Sequence, residues 1–463
     1  MAHITPGQHI HLVGIGGAGL SAIARILLGQ GYHVSGSDRS LNALTEALAH
    51  DGATIFAGHA AENIAGADAL IVSSAIQPDQ VEIAAALASG VPVYKRADIM
   101  ADLMVGKKVI AVAGTAGKTT TTAMITHILL ETGKDPSYII GGVLSTTGTN
   151  AAVGTGEVFV IEADEYDNMF LGLRPNIAVV TNVEWDHPDF FKTPKEMFNS
   201  FEQFVGLLPD DGILIACADD WGARLVAEHW QQHTISVAAL YGIDRADVTV
   251  SAVDVRPDAE GSSFVITLPD ESILAEVVYL IVPGRHNVLN ALGAVTATLN
   301  DVTLDEAAKA LATFKGTARR FELKGEVEGI AVIDDYAHHP AKIRATLEAA
   351  RSRYPDRQLW AVWQPHTYSR TQALKDDFLA AFKDADHVLI TEIYAAREQP
   401  IPDVNAADLA GKMDHSDARF TPTFAEVVDT LMAEVQAPAA VIVMSAGDAT
   451  QISAEFLRRK GKA

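Results

Sequence analysis

Val109-Ile110-Ala111-Val112-Ala113-Gly114-Thr115-Ala116-Gly117-Lys118-Thr119-Thr120-Thr121-Thr122 is the stretch on which the reading of this chain turns. Five uninterrupted apolar residues read as a strand buried on both faces, the habit of a parallel sheet. Gly114 and Gly117 let the backbone bend so that successive amides face one point, and Thr115 lies between them. Residues 118–131 then read as a helix whose N-terminus adds partial positive charge. Lys118 contributes a full cation, and the Thr119 hydroxyl is a hard oxygen suited to Mg²⁺. Two residues separate the glycines, where the usual Walker form has four. A plain strand–helix turn shares part of this pattern, but strand, loop, lysine, hydroxyl and helix all agree. Thr120, Thr121 and Thr122 are poor helix formers, and that local conflict favours a functional use for some of them.

A phosphate loop of this kind needs a metal, and candidate ligands follow it. Glu162-Ala163-Asp164-Glu165 closes an apolar strand at 158–161, and Asn182 and Asp186-His187 follow another at 177–181. The C-terminal ends of parallel strands converge on the crevice where such sheets bind ligands. Oxygen donors suit Mg²⁺, so Thr119 and Glu162 are the natural pair; the imidazole of His187 suits softer metals.

Upstream, Gly14-Ile15-Gly16-Gly17-Ala18-Gly19 follows a predicted strand at 9–15 and precedes a helix at 20–30. Asp38 sits at the end of the next strand, where a ribose is often read. Alone, this loop suggests an NAD-dependent dehydrogenase. Such an enzyme leaves Gly114–Thr119 without a role, whereas two loops on two α/β units fit two phosphorylated ligands.

The chain has 463 residues and a formal net charge of -24. That length implies about three domains. The charge disfavours a nucleic-acid or anionic-membrane partner. Cys217 is the single cysteine, so no intramolecular disulfide forms. There is no basic-then-apolar leader and no apolar run of about 18 residues, so the chain reads as a soluble cytoplasmic protein. Strand–helix alternation pauses near 101–108, a second α/β unit starts at Lys108, and a third starts near Arg319. The domains are therefore read as 1–106, 107–318 and 319–463, an α/β protein throughout. Residues 236–281, richer in β-branched residues and turns, read as an antiparallel annex.

The third unit places polar clusters after two strands: Asp334-Asp335-Tyr336-Ala337-His338-His339-Pro340 and Gln364-Pro365-His366-Thr367-Tyr368-Ser369-Arg370-Thr371. Arg370 can fork onto a carboxylate, and Asp335 can pair with an ammonium.

Together these blocks make the chain resemble the Mur ligases from end to end. The phosphate loop resembles their GTxGKT signature. Glu162, residues 182–187, the run from Pro283 to Asn290 and Arg319-Arg320-Phe321 appear in the family's order. The two third-unit clusters, Tyr394-Ala395-Ala396-Arg397-Glu398 and residues 14–19 resemble the alanine-adding branch. The resemblance implies a Rossmann-like N-terminal domain for a UDP-sugar, a P-loop ATPase central domain and a Rossmann-like C-terminal domain for an amino acid. It implies ATP-dependent ligation of L-alanine to the carboxylate of UDP-N-acetylmuramate, for peptidoglycan, by a monomer or homodimer. Gly114, Thr115, Gly117, Lys118, Thr119, Thr120, His286, Asn287, Asn290 and Arg320 would meet ATP. Thr119, Glu162 and His187 would hold Mg²⁺. Gly14, Gly16, Gly17, Gly19, Asp38, Ser73 and Ser74 would hold the UDP-sugar, and Tyr336, His338, His366 and Arg370 the muramate end and the amino acid. Lys118, Glu162, His187, Asp335, His338, His366 and Arg370 form the expected catalytic set. The family's alanine-adding branch usually has histidine where this chain has Ala116. The alternatives are murein peptide ligase, a salvage enzyme of the same family, and a nucleotide-binding protein with catalysis impaired through Ala116.

Overall fold

The computed structural model describes residues 3–73, 76–258, 261–268 and 276–461, folded around three sheets. In the first, five parallel strands run in the order Thr54–Ala57, His33–Asp38, His9–Val13, Ala69–Val72 and Val93–Lys95. The opening strand stops at Val13, two residues short of the expectation. Gly14 takes φ 87, which ends extended backbone. The Gly14 and Ile15 amides both donate to the Ser37 carbonyl, at 2.8 and 3.1 Å. Helix Ala18–Gly29 follows, beginning at the loop's last glycines.

The central sheet has ten strands. Lys108–Ala113 lies in its middle, buried from Val109 onward and flanked in parallel by Val158–Glu162 and Ile177–Val180. An apolar strand shut in on both sides is what parallel packing beneath helices requires. The annex expected at 236–281 is antiparallel only from Val250 on. Ala239–Ile243 instead extends the parallel run beside Ile213–Cys217. An edge hairpin absent from the sequence reading, Ser137–Leu144 with Thr149–Ala152, closes the other side. Its Gly141-Gly142 pair passes close to Glu162 and Thr119.

The third sheet runs Glu322–Val327, Ile330–Asp335, Ala439–Met444, Gln358–Trp363, His387–Ile390 and Ala418–Phe420, parallel except at its first pair. Alternation sends Ala331 and Ile333 into one apolar core and Ile330 and Val332 into another. By contrast, a single continuous core joins the first two sheets, from Ile4 to Phe314. The third unit thus carries its own cores and meets the rest partly through charged side chains. Among the described residues no helix is long and apolar enough to cross a membrane.

Candidate active site

A cleft of about 840 Å³ opens where the three sheets meet. Its floor is the loop 114–119. Gly114 and Gly117 have φ 146 and 82, and a Cβ at either would overlap Thr181 Oγ1 or Asn290 Oδ1, so side chains are barred twice over. The loop is pinned from the next strand's exit. Ala116 donates its amide to Asn182 Oδ1 (2.8 Å), and its carbonyl accepts from Thr181 Oγ1 (2.6 Å). The Thr115 hydroxyl donates to the Glu184 carbonyl at 2.7 Å and accepts from the Glu184 amide at 2.9 Å.

Lys118 lies on Glu165, 2.7 Å away, and that carboxylate is 1% exposed. Burial pushes the Lys118 ammonium down, but Glu165, Glu162 and Asp164 overcome it and raise its pKa. Burial likewise pushes Glu165 up, and Lys118 and His187 overcome that, holding its carboxyl down at about 2. Glu165 was not singled out from sequence; the acidic run at 162–165 was the only signal. Thr119 donates to Glu162 Oε1 and accepts from Arg320 Nη2, both at 3.0 Å, while the Gly141 amide donates to Glu162 Oε2 at 2.7 Å. Thr120 is buried at the cleft wall. Thr121 donates to Asn290 Oδ1 at 3.2 Å, and Thr122 back-bonds to the Lys118 carbonyl at 2.8 Å. The threonine run therefore divides between cleft lining, helix docking and local back-bonding.

The donor chemistry fits Mg²⁺. Thr119 and Glu162 put a hydroxyl and a carboxylate side by side at the loop, as expected for an ion completed by phosphate oxygens and water. Among the described residues no group of three or more His, Cys, Asp and Glu side chains forms a cage for a metal. His187, at φ 56, directs Nε2 toward Glu165 Oε1 at 3.6 Å, while its Nδ1 accepts from Arg370 Nη2 at 3.4 Å.

The facing wall comes from the third unit. Asp335 accepts from the Phe321 and Ala337 amides, each at 2.7 Å, so both of its oxygens are already used by backbone. Burial raises its pKa. Tyr336 lies under the guanidiniums of Arg319 and Arg320, 4.9 and 4.8 Å from the ring centre. Two histidines are resolved by their partners. His338 Nδ1 faces the Tyr336 carbonyl at 2.8 Å, and a carbonyl only accepts, so Nδ1 carries the hydrogen and Nε2 keeps its lone pair. His366 Nδ1 faces Arg370 Nη1 at 3.1 Å, and a guanidinium only donates, so here Nδ1 is the acceptor. Burial, with cationic neighbours, keeps both rings neutral: His366 falls to about 4 and His338 well below the usual range. Arg370 itself points Nε at Asp186 Oδ1, 2.7 Å away. Asp186, which the sequence offers only as one of several candidate metal ligands, is fully buried, and Arg370 and His187 hold its carboxyl low against its burial.

Near the loop's far end, Asn287 donates to the Pro283 carbonyl (2.6 Å) and Asn290 donates to Asn287 Oδ1 (3.1 Å). His286 lines the same cleft, its pKa pushed down by burial to about 4. Of the first glycine loop Ala18 and Gly19 reach the cleft lining. Gly14, Gly16 and Gly17 lie outside that lining, with Asp38 Oδ2 accepting from the Gly16 amide at 2.9 Å. Ser73 is close to Gly14; Ser74 lies outside the described residues. Arg96 brings a cation from the first unit to the rim.

A phosphate loop on one wall and a histidine–arginine face on the other define a nucleotide-dependent enzyme that brings two substrates together between domains. Comparison with known proteins gives the family. Models of the Mur ligase family match along the chain: the catalytic domain at 9–108, the middle domain at 112–298 and the glutamate ligase domain at 319–447. The UDP-N-acetylmuramate–L-alanine ligase of Roseiflexus sp. (strain RS-1) is 43% identical over 456 residues, 96% of this chain and 97% of its own. That of Arthrobacter sp. (strain FB24) is 46% identical over 398 residues, 86% and 84% of the two chains. The crystal structure of UDP-N-acetylmuramate–alanine ligase from Thermotoga maritima matches with TM-score 0.81 at 28% identity, over 98% of this chain and 99% of that one. A murein peptide ligase from Psychrobacter arcticus matches with TM-score 0.74 at 28% identity, over 99% of both chains. The chain belongs to the Mur ligase family.

Proposed function

We propose that this protein joins L-alanine to the carboxylate of UDP-N-acetylmuramate at the expense of ATP, in the cytoplasmic assembly of peptidoglycan precursors. The observation that carries this reading is the cleft itself, where the loop 114–119 faces His338, His366 and Arg370. Full-length relatives of that activity support it. In this reading residues 1–106 hold the UDP-sugar, 107–318 hold ATP, and 319–463 hold the amino acid.

A carboxylate resists attack by an amine, because its charge repels the nucleophile and oxide does not leave. Transfer of the γ-phosphoryl group to a carboxylate oxygen breaks the bond to ADP and forms an acyl phosphate. Lys118, released from Glu165, and Arg320 would neutralise the charge that builds on the transferring group. Mg²⁺ held at Thr119 and Glu162 would supply further neutralisation of phosphate charge. The amine nitrogen then bonds to the acyl carbon, the carbon–oxygen bond to phosphate breaks, and a proton leaves the nitrogen. Between the two histidines, His338 is the better acceptor, because its Nε2 lone pair is uncommitted while His366 Nδ1 is held by Arg370.

The test is phosphate release from ATP and Mg²⁺ with UDP-N-acetylmuramate, with and without L-alanine, followed by product mass. Release that needs both substrates, with a gain of one alanyl residue, is the expected outcome. Product formed with a peptide in place of L-alanine would move the assignment to the murein peptide ligase reading. Nucleotide binding with no turnover in either mixture would leave a binding protein.

A further inference from the structure

Lys342 occupies a position that elementary electrostatics disfavours. It sits in the first turn of helix Pro340–Arg353, capped by His339, where the helix dipole repels cations and where no acidic residue compensates. Its side chain is only 19% exposed. It lines the same cleft as Lys118 and Arg370, on the wall opposite the phosphate loop. Its nearest anion is Asp186 Oδ2 at 3.8 Å, too far for a hydrogen bond, and Asp186 is already engaged by Arg370 through Oδ1. Among the described residues no hydrogen bond uses the Lys342 ammonium, although it carries three donors. Asp186 Oδ2 is correspondingly buried without a hydrogen-bond partner. Burial, against the pull of Asp186, joins with Lys118 and Arg370 to bring the ammonium down to about 8.

Lys118, Lys342 and Arg370, among the seven lysine and arginine side chains that line this cavity, repel one another unless a polyanion enters. Asp186 and Glu165 offset part of this, but they are committed to Arg370 and Lys118. We infer that Lys342 is a further catalytic residue, carried by the third domain, whose ammonium contacts the oxygens of the γ-phosphoryl group as it passes to the substrate carboxylate. This rests on the ligase reading above. It gives the third domain a direct grip on the nucleoside triphosphate, distinct from that of Lys118 on the central domain. Loss of the γ-phosphoryl group would release that grip and allow the domains to part.

The experiment compares wild type, Lys342→Gln and Lys342→Arg as full-length chains. Affinities for ADP and for β,γ-imido-ATP are measured by calorimetry with Mg²⁺, alongside kcat and KM for alanine-dependent phosphate release. Lys342→Gln is expected to weaken the triphosphate analogue ~10-fold while leaving ADP within ~2-fold, and to lower kcat ~100-fold with little change in KM for L-alanine. Lys342→Arg, which keeps the charge, should retain most of the discrimination between the two nucleotides and guards against misfolding of the glutamine variant. Equal effects on ADP and on the analogue, or an unchanged kcat, would overturn the inference and leave Lys342 as a counter-charge to Asp186. If wild type makes no alanyl product, the ligase reading fails, while the nucleotide comparison still decides whether Lys342 reads the γ-phosphate.

Discussion

Arg370 of the third unit donates its Nε hydrogen to Asp186 Oδ1 of the central unit across 2.7 Å, with the two side chains 4% and 0% exposed. This buried ion pair ties the histidine–arginine wall to the strand exit that also pins the phosphate loop. Removing one partner strands the other charge away from water. Arg370→Ala should therefore cost about 3–5 kcal/mol of stability, and Asp186→Asn in the same chain should recover part of it. Denaturant melts of the two single variants and the double variant test this. Strictly additive losses would mean that the two residues do not act as a pair.

Lys118 and Glu165 form a second buried pair, 2.7 Å apart, with a different consequence. The pair must open for phosphate to reach the ammonium. Lys118→Met should lower kcat by ~10²–10³ and destabilise the fold by leaving Glu165 unpaired. Adding Glu165→Gln should restore the melting temperature without restoring turnover. Recovery of both together would remove Lys118 from the chemistry.

The loop's hydrogen bonds at position 116 are made by backbone alone, to Asn182 and Thr181. Ala116→His should consequently change stability by less than ~0.5 kcal/mol, and wild type should turn over as it stands. Gly117→Ala is different: φ 82 and the approach of Asn290 Oδ1 leave no room, so a loss above ~1 kcal/mol and weakened ATP binding are expected. Melting curves and ATP titrations of both variants decide the matter; a silent Gly117→Ala would contradict the loop geometry.

Four histidines near the cleft are kept neutral: His286, His339 and His366 at about 4, and His338 well below its ordinary value. For a histidine whose folded pKa is depressed, the unfolded chain binds the proton first as pH falls. Stability is then complete above about 6.5, the unfolded value, and declines toward 4. Glu165, at about 2 against 4.5, adds a further loss in the same direction below pH 4.5. Asp334, raised by burial to about 6, and the likewise raised Asp335 and Glu184 offset part of this loss, but the four rings outweigh them, so the melting temperature should fall from pH 7 to pH 4.5. A flat profile over that range would mean that these rings are hydrated in solution.

Much of the fold was legible because its signals are local. Residues 109–122 contain their own strand, turn and helix start, and the helix spans Lys118–Glu131 as read from the sequence. The Gly14–Gly19 loop, set between the strand His9–Val13 and the helix Ala18–Gly29, follows the same logic. Less legible were short edge elements. The hairpin Ser137–Leu144 with Thr149–Ala152 is absent from the sequence reading, its pattern broken by glycine and threonine, yet its Gly141 amide fixes Glu162. Ala239–Ile243 pairs in parallel with the preceding strand across the helix Trp221–Gln231, but it falls inside the β-branched, turn-rich stretch that reads as an antiparallel annex.

Residue types and their spacing settle which chemistry is available. A phosphate loop, a hydroxyl–carboxylate pair at 119 and 162, and two polar clusters at strand ends are fixed by residue type and spacing. Only the tertiary structure decided how those groups are committed. Arg370 faces Asp186, Asp335 is spent on two backbone amides, and His338 rather than His366 keeps a free lone pair. It also brought Lys342 to the wall opposite Lys118. Two causes act: Arg370 meets Asp186 across 184 positions, a separation at which no local pattern reports a contact, whereas Asp335, His338 and His366 bond to residues 2 to 14 positions away, where the turn of the folded backbone and burial select partner and tautomer.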